Sequence, residues 1–162
     1  MSYNPISEAI EVFLEVKDKV IKDDRELGSK VRTRSREGPE MILTLGITPT
    51  LSFYLSKAGL KTLEYVVKTI KSNHPEQKGV KKEDLSYAIY SYVILKYLCK
   101  YLPTVEAKDV YDLVEKGGDK LYKLLSLMVK GESRIPVYRL LIQYLQQFKR
   151  LCEASFEPER GR

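Results

Sequence analysis

The chain has 162 residues, of which 43% are hydrophobic and 31% charged, and this composition is typical of one globular domain rather than a disordered segment. It carries 28 lysines and arginines against 22 acidic residues, and the net charge of +6 favours polyanionic partners such as nucleic acid. No stretch approaches the roughly 18 uncharged apolar residues of a membrane span, and no secretory signal is recognisable. We therefore predict a cytoplasmic protein that has no membrane partner and keeps its thiols reduced.

Apolar residues recur at helical spacing through nearly the whole chain, and no segment has the alternation or the turn signals of a β-hairpin. The first helix is predicted to begin at Pro5, with Asn4 as its N-cap, and to reach about Lys22 or beyond. A basic stretch follows as far as Arg36. The sequence EGPE is predicted to interrupt the helix there, with Pro39 opening the next one.

Glycines and prolines predict the remaining boundaries. Gly46 is expected to end one helix, Thr48 and Pro49 to begin another, and Gly59 to close it. Further helices are expected over residues 60–72, 84–102, 106–118, 119–131 and 133–154, with a loop over 73–84. The segment 84–102 is apolar nearly all round, so it is predicted to be the central buried helix. The prediction is an all-α, single-domain bundle of six to eight helices over residues 1–155, followed by a flexible tail over 156–162.

Residue types suited to catalysis are scarce. His74 is the one histidine, the two cysteines are not spaced for zinc, and both Gly-rich phosphate-loop patterns are missing. The adjacent carboxylates Glu83 and Asp84 lie at a predicted helix start, where they complement the helix dipole. We therefore predict a protein that is not an enzyme and needs neither a metal nor another cofactor. Whether Cys99 and Cys152 pair is left open.

The densest positive charge lies just before the Gly-Pro break. On a helix Arg32 and Arg36 share one face, as do Lys30 and Arg34, and such an array can contact successive phosphates. The alternative is a solvated polar face. For an arbitrary charged helix the solvated face is the better interpretation, but two details weaken it here: few acidic residues follow nearby, and the stretch runs directly into apolar sequence. Lys57 lies near the end of its predicted helix and Lys61 just past it. Taken alone, both are explained by the favourable effect of positive charge at a helix C-terminus.

Tyrosine is the second unusual feature, with 12 residues and no tryptophan. Tyr87, Tyr90, Tyr97 and Tyr101 lie on one face of the predicted central helix. Such a face could stack on bases, or it could pack in the core with its hydroxyl groups at the rim. Packing is the favoured interpretation.

Residues 32–59, RTRSREGPEMILTLGITPTLSFYLSKAG, resemble the helical small subunit of type III-B CRISPR effector complexes, the Cmr complexes. That family shows an Arg-rich helix, a helix that starts at a proline, a glycine, and then the pattern tL-x-F-x-x-S-K. The matching residues here are Arg32 to Arg36, Pro39, Gly46, Leu51, Phe53, Ser56 and Lys57. The resemblance covers about thirty residues strongly, and the rest of the chain agrees in helicity and charge.

The resemblance implies a non-catalytic subunit that is present in several copies beside the subunits holding the guide RNA. Its copies would stack into a short filament whose basic groove follows the target RNA. The expected partners are other Cmr subunits, guide RNA, target RNA and further copies of this chain. The expected RNA-binding residues are Lys30, Arg32, Arg34, Arg36, Lys57 and Lys61. A helical protein–protein adaptor is the main alternative. A DNA-binding helix-turn-helix protein ranks last, because ITPTLSFYLSKAG is too apolar to lie in a groove.

Overall fold

The computed structural model describes residues 4–72, 79–102, 107–131 and 135–160. Within these ranges the chain forms eight α-helices and no strand, which confirms the predicted all-α bundle. A π-helical turn, Lys17–Ile21, extends α1, and a 3₁₀ turn, Lys116–Gly118, precedes α7. The helices are α1 (Pro5–Val16), α2 (Arg25–Leu45), α3 (Ile47–Ala58), α4 (Leu60–Ser72), α5 (Lys82–Tyr101), α6 (Val110–Val114), α7 (Asp119–Gly131) and α8 (Ile135–Ser155).

Short-range capping determines the first helix boundaries. The Asn4 side chain accepts hydrogen bonds from the N–H groups of Ile6 and Ser7, which confirms the predicted N-cap of α1. The π-helical turn ends at Ile21, and the next residue, Lys22, has a φ of 53°, close to the predicted limit of the first helix. The Asp24 carboxylate then caps α2 by accepting from the N–H of Leu27 at 3.0 Å.

The predicted interruption at Gly38-Pro39 is wrong, because α2 continues through both residues to Leu45. A proline inside a helix removes one hydrogen bond and costs about 3 kcal/mol. Close packing on α5 compensates for this cost. A Cβ added to Gly38 would lie 2.1 Å from the hydroxyl oxygen of Tyr90, so the α2 backbone rests directly against that side chain. Pro39 is buried beside this contact.

Glycines end the next two helices as predicted. Gly46 has a φ of 95° and terminates α2, and Gly59 has a φ of 79° and terminates α3. The predicted start of α3, with Thr48 as cap and Pro49 as first residue, is two residues late, because α3 begins at Ile47 directly after Gly46. Half of the loop predicted over 73–84, residues 73–78 with His74, lies outside the described residues. Residues 82–84 belong to α5, so the loop ends earlier than predicted.

Helix α5 is the central buried helix, as predicted, and its tyrosines pack in the core. Tyr90 and Tyr97 are 0% and 2% exposed. The ring of Tyr90 lies 5.3 Å from that of Tyr54 and 6.1 Å from that of Phe148, between centroids. The favoured packing interpretation is therefore confirmed for these two residues. No helix in the described part of the chain is long and apolar enough to cross a membrane.

The end of the chain packs against α1 and α2. The ring of Phe156 lies 5.9 Å from that of Phe13, between centroids. The Phe156 carbonyl accepts a hydrogen bond from Arg32 at 2.9 Å. Glu159 lies 3.6 Å from Lys30. Residues 156–160 therefore contact the domain, whereas the sequence predicted a flexible tail from residue 156 onward. The sequence alone did not reveal that an aromatic ring anchors this segment.

Both cysteines are free thiols. Cys152 is buried on α8, and desolvation raises the pKa of its thiol to about 12. Cys99 is half-buried on α5, and burial raises its pKa as well, since the thiolate form is disfavoured away from water.

Candidate nucleic-acid interface

Helix α2 carries the four clustered basic residues, and the structure places them in different surroundings. The Arg32 side chain binds backbone carbonyls of the same domain. Its Nη1 donates to the carbonyls of Glu153 and Phe156 at 3.1 and 2.9 Å. These carbonyls lie at the C-terminal end of α8, where helix carbonyls lack partners and a positive charge is favourable. Arg32 therefore caps α8 and joins it to α2.

Lys30 and Arg34 both contact Glu83, in the first turn of α5. Lys30 Nζ lies 2.8 Å from Glu83 and 3.6 Å from Glu159, and its hydrogen bond to Glu83 raises the pKa of Lys30. The Arg34 guanidinium lies 3.6 Å from Glu83 and 3.7 Å from Glu37. It also lies 4.2 Å from the centroid of the Tyr87 ring.

Arg34 is only 2% exposed, so the structure does not place it at the surface, where the sequence predicted a phosphate contact. Its guanidinium is held inside the domain between an aromatic face and two carboxylates. The sequence suggested that the basic stretch had few acidic neighbours. The neighbours are supplied by Glu83 and Glu159, which are distant in sequence and become close only through folding.

Arg36, Lys57 and Lys61 are the predicted residues that the fold leaves at the surface. Within the described ranges, no carboxylate lies within ion-pair distance of any of the three. Lys57 Nζ lies 5.6 Å from the centroid of the Phe53 ring, which is itself 39% exposed. The pairing of Lys57 with Phe53, an exposed cation beside an exposed aromatic ring, is of the kind that single-stranded nucleic acid contacts. We call Arg36, Lys57 and Lys61 the junction cations.

A second basic site was missed by the sequence reasoning. A cavity of about 570 Å³ lies among the π-helical turn, α4, α5 and the start of α6. We call it the lysine cleft, and its charged lining residues are Lys19, Lys71, Lys96, Lys100, Lys108, Glu15 and Asp109. No local pattern could have revealed it, because these residues come from four separate segments. Nowhere in the described residues do three or more His, Cys, Asp or Glu side chains cluster as a metal site.

The chain is similar to CRISPR-associated proteins over nearly its whole length. The family model described as CRISPR-associated protein (Cas_Cmr5) matches residues 6–155. The CRISPR system CMR subunit Cmr5 of Saccharolobus solfataricus strain P2 is 33% identical over 159 residues, which cover 92% of this chain and 91% of that protein.

Two solved structures contain chains of the same fold. One is a chain of the type III-B Cmr-beta complex bound to cognate target RNA and AMPPnP, with a TM-score of 0.77, 25% identity, and coverage of 96% of this chain and 97% of that chain. The other is a chain of the Cmr-beta complex bound to non-cognate target RNA, with a TM-score of 0.78, 25% identity, and coverage of 98% and 100%. The chain therefore belongs to the Cmr5 family of CRISPR-associated proteins, which confirms the family predicted from residues 32–59.

Proposed function

We propose that this chain is a non-catalytic subunit of a type III-B CRISPR effector complex that contacts RNA through its sugar-phosphate backbone. The observation that carries the proposal is the near full-length similarity to chains of Cmr-beta complexes bound to target RNA. Contacts to phosphate and sugar position a protein on RNA without reading sequence. Base pairing with the guide would then select the target, and this chain would hold the strand or the duplex that forms.

The junction cations are the residues proposed to contact RNA. Arg36 can bind phosphate oxygens bidentately, and Lys57 and Lys61 supply compact point charges. Lys30 and Arg32 are partly buried and already bonded to groups of α5, α8 and the chain end. Their proposed role is to hold α2 in place, so that Arg36 is presented from a rigid helix.

Assembly in several copies is the second part of the proposal. Ile6, Ile10 and Leu14 recur every four residues on α1 and are 52%, 40% and 48% exposed, so they form an apolar stripe at the surface. The proposal assigns this stripe to contacts with a second copy or with another subunit. Linked copies would bind one RNA more tightly than a single copy does, because later contacts become intramolecular. The same stripe is the observation that favours the rival function, a protein–protein adaptor without RNA contact.

Charge reversal of the junction cations tests the RNA contact. The variant R36E/K57E/K61E should bind single-stranded RNA more weakly than the native chain does. Each phosphate contact to a single strand contributes about −0.7 to the slope of log K against log salt, so the slope should become shallower by about 2. The matched control is K81E/K123E/K130E, which makes the same charge change at three other exposed lysines. Filter binding across a salt series measures both properties.

The control should keep most of the native salt slope. Equal RNA affinities and slopes for the native chain and R36E/K57E/K61E would contradict the proposed contact. The adaptor function would then be tested by purifying a tagged chain from its host. Co-purified effector subunits together with guide RNA would support membership of the complex, whereas a protein partner without RNA would support the adaptor.

A further inference from the structure

The lysine cleft is large enough for a small ligand. Its volume of about 570 Å³ lies within the range of roughly 300–1,000 Å³ that is usual for small-molecule sites. Its walls combine lysines with the aromatic rings of Tyr92 and Tyr111. Whether it suits an anion depends on which of its lysines are already paired with carboxylates.

The two carboxylates that line the cleft already accept hydrogen bonds from protein groups. Glu15 accepts a hydrogen bond from Lys96 at 2.8 Å and another from the hydroxyl group of Tyr92. Asp109 is the N-cap of α6 and accepts from the N–H of Asp112 at 3.0 Å. With five lysines and two carboxylates in the lining, the cleft has an excess of positive charge.

Three of the lysines form no ion pair through their ammonium groups among the described residues: Lys19, Lys71 and Lys108. The backbone N–H of Lys108 donates to the Asp112 carboxylate at 2.9 Å, but its side chain does not pair with it. Lys19 Nζ donates to the carbonyl of Ile70 at 3.1 Å, and Lys71 Nζ lies 4.0 Å from the centroid of the Tyr111 ring. A carbonyl and an aromatic face orient an ammonium group without neutralising it. Lys19 and Lys71 are therefore held at the wall of the cleft with their positive charge available to an anion, and the exposed Lys108 lines the same cleft.

We propose that the lysine cleft binds the terminal phosphate of a nucleotide or of an RNA end, with Lys19, Lys71 and Lys108 as its charge partners. A terminal phosphate carries a charge of about −1.5 to −2 at pH 7, which three ammonium groups can neutralise. A phosphodiester carries a single charge and needs fewer partners. The two ligand sources share the same chemistry, so the experiment must separate them.

This site is separate from the junction cations. Lys61 and Lys71 are ten residues apart on α4, which corresponds to about 15 Å along the helix axis. The inference therefore goes beyond the proposed function, and either one can fail without the other.

Calorimetric titration of the full chain with AMP at low salt tests the cleft directly. We expect saturable binding, and we expect the variant K19Q/K71Q/K108Q to bind AMP at least tenfold more weakly, since three charge contacts are lost. The control K81Q/K123Q/K130Q removes the same charge from exposed lysines elsewhere and should bind within about twofold of the native chain. The variant R36E/K57E/K61E should also bind AMP normally.

Two RNA oligomers of one sequence, one with a 5′-phosphate and one with a 5′-hydroxyl, identify the ligand source. Tighter binding of the phosphorylated oligomer that is lost in K19Q/K71Q/K108Q would assign the cleft to an RNA end. Equal binding of the two oligomers, together with cleft-dependent AMP binding, would assign it to a free nucleotide. Because Lys19 also ties the π-helical turn to α4, K71Q/K108Q is a second variant that keeps that bond. AMP binding unaffected by both variants would overturn the proposal, and so would the absence of both AMP binding and any preference for the phosphorylated oligomer.

Discussion

Replacing Gly38 with alanine should lower the free energy of unfolding by about 3 kcal/mol. The added Cβ would lie 2.1 Å from the hydroxyl oxygen of Tyr90 and 2.3 Å from one of its ring carbons. Tyr90 is fully buried between Tyr54 and Phe148, so its ring has no free space into which it can move. Alanine also gains about 0.5–1 kcal/mol of helix propensity over glycine, which offsets only part of the steric cost.

Thermal unfolding followed by circular dichroism measures this effect, which should appear as a fall in Tm of about 6 to 12 °C for a chain of this size. Gly28→Ala is the comparison variant on the same helix. Its Cβ would lie 2.6 Å from the ring of Phe156, but that ring is only partly buried and can shift, so the loss should be smaller. A Gly38→Ala chain as stable as the native chain would show that α2 and α5 are not packed this closely.

The helix ends that were predictable depend on residues next to them in the chain. Asn4 caps α1 with its own side chain, and Gly46 and Gly59 end helices because they adopt positive φ. Pro39 was assigned to a helix start by the same local reasoning. The continuous α2 instead depends on the contact between Gly38 and Tyr90, which are brought together only by folding.

The candidate site likewise combines features that local sequence predicts with contacts that only folding creates. The spacing of basic residues on α2 could be read from the sequence, and so could the family, from the segment that contains Lys57. The ion pairs that Lys30 and Arg34 form with distant carboxylates could not be predicted from the sequence. Glu83 comes from α5 and Glu159 from the chain end. Arg32 likewise pairs with carbonyls at the end of α8. Lys30, Arg32 and Arg34 were predicted to bind RNA, and in the structure their side chains connect α2 to α5, to α8 and to the chain end.

Arg34→Ala and Arg36→Ala should affect different properties, although the two arginines are two positions apart on one helix. Arg34→Ala should lower the free energy of unfolding by about 3 kcal/mol, because it removes a buried guanidinium and leaves a gap beside Tyr87 and the two carboxylates. Arg36 is exposed and has no ion pair among the described residues, so its alanine variant should stay within about 0.5 kcal/mol of the native chain.

RNA binding should show the opposite pattern. Arg36→Ala should weaken binding to single-stranded RNA and make the salt slope shallower by about 0.7, which is the loss of one phosphate contact. Arg34→Ala, measured well below its lowered Tm, should keep the native slope. Chemical denaturation and filter binding on the same two variants separate these effects. If Arg34→Ala kept its stability and lost RNA affinity, Arg34 would have to leave its buried position when RNA binds. In that case α2 would be a moving element of the interface rather than its fixed support.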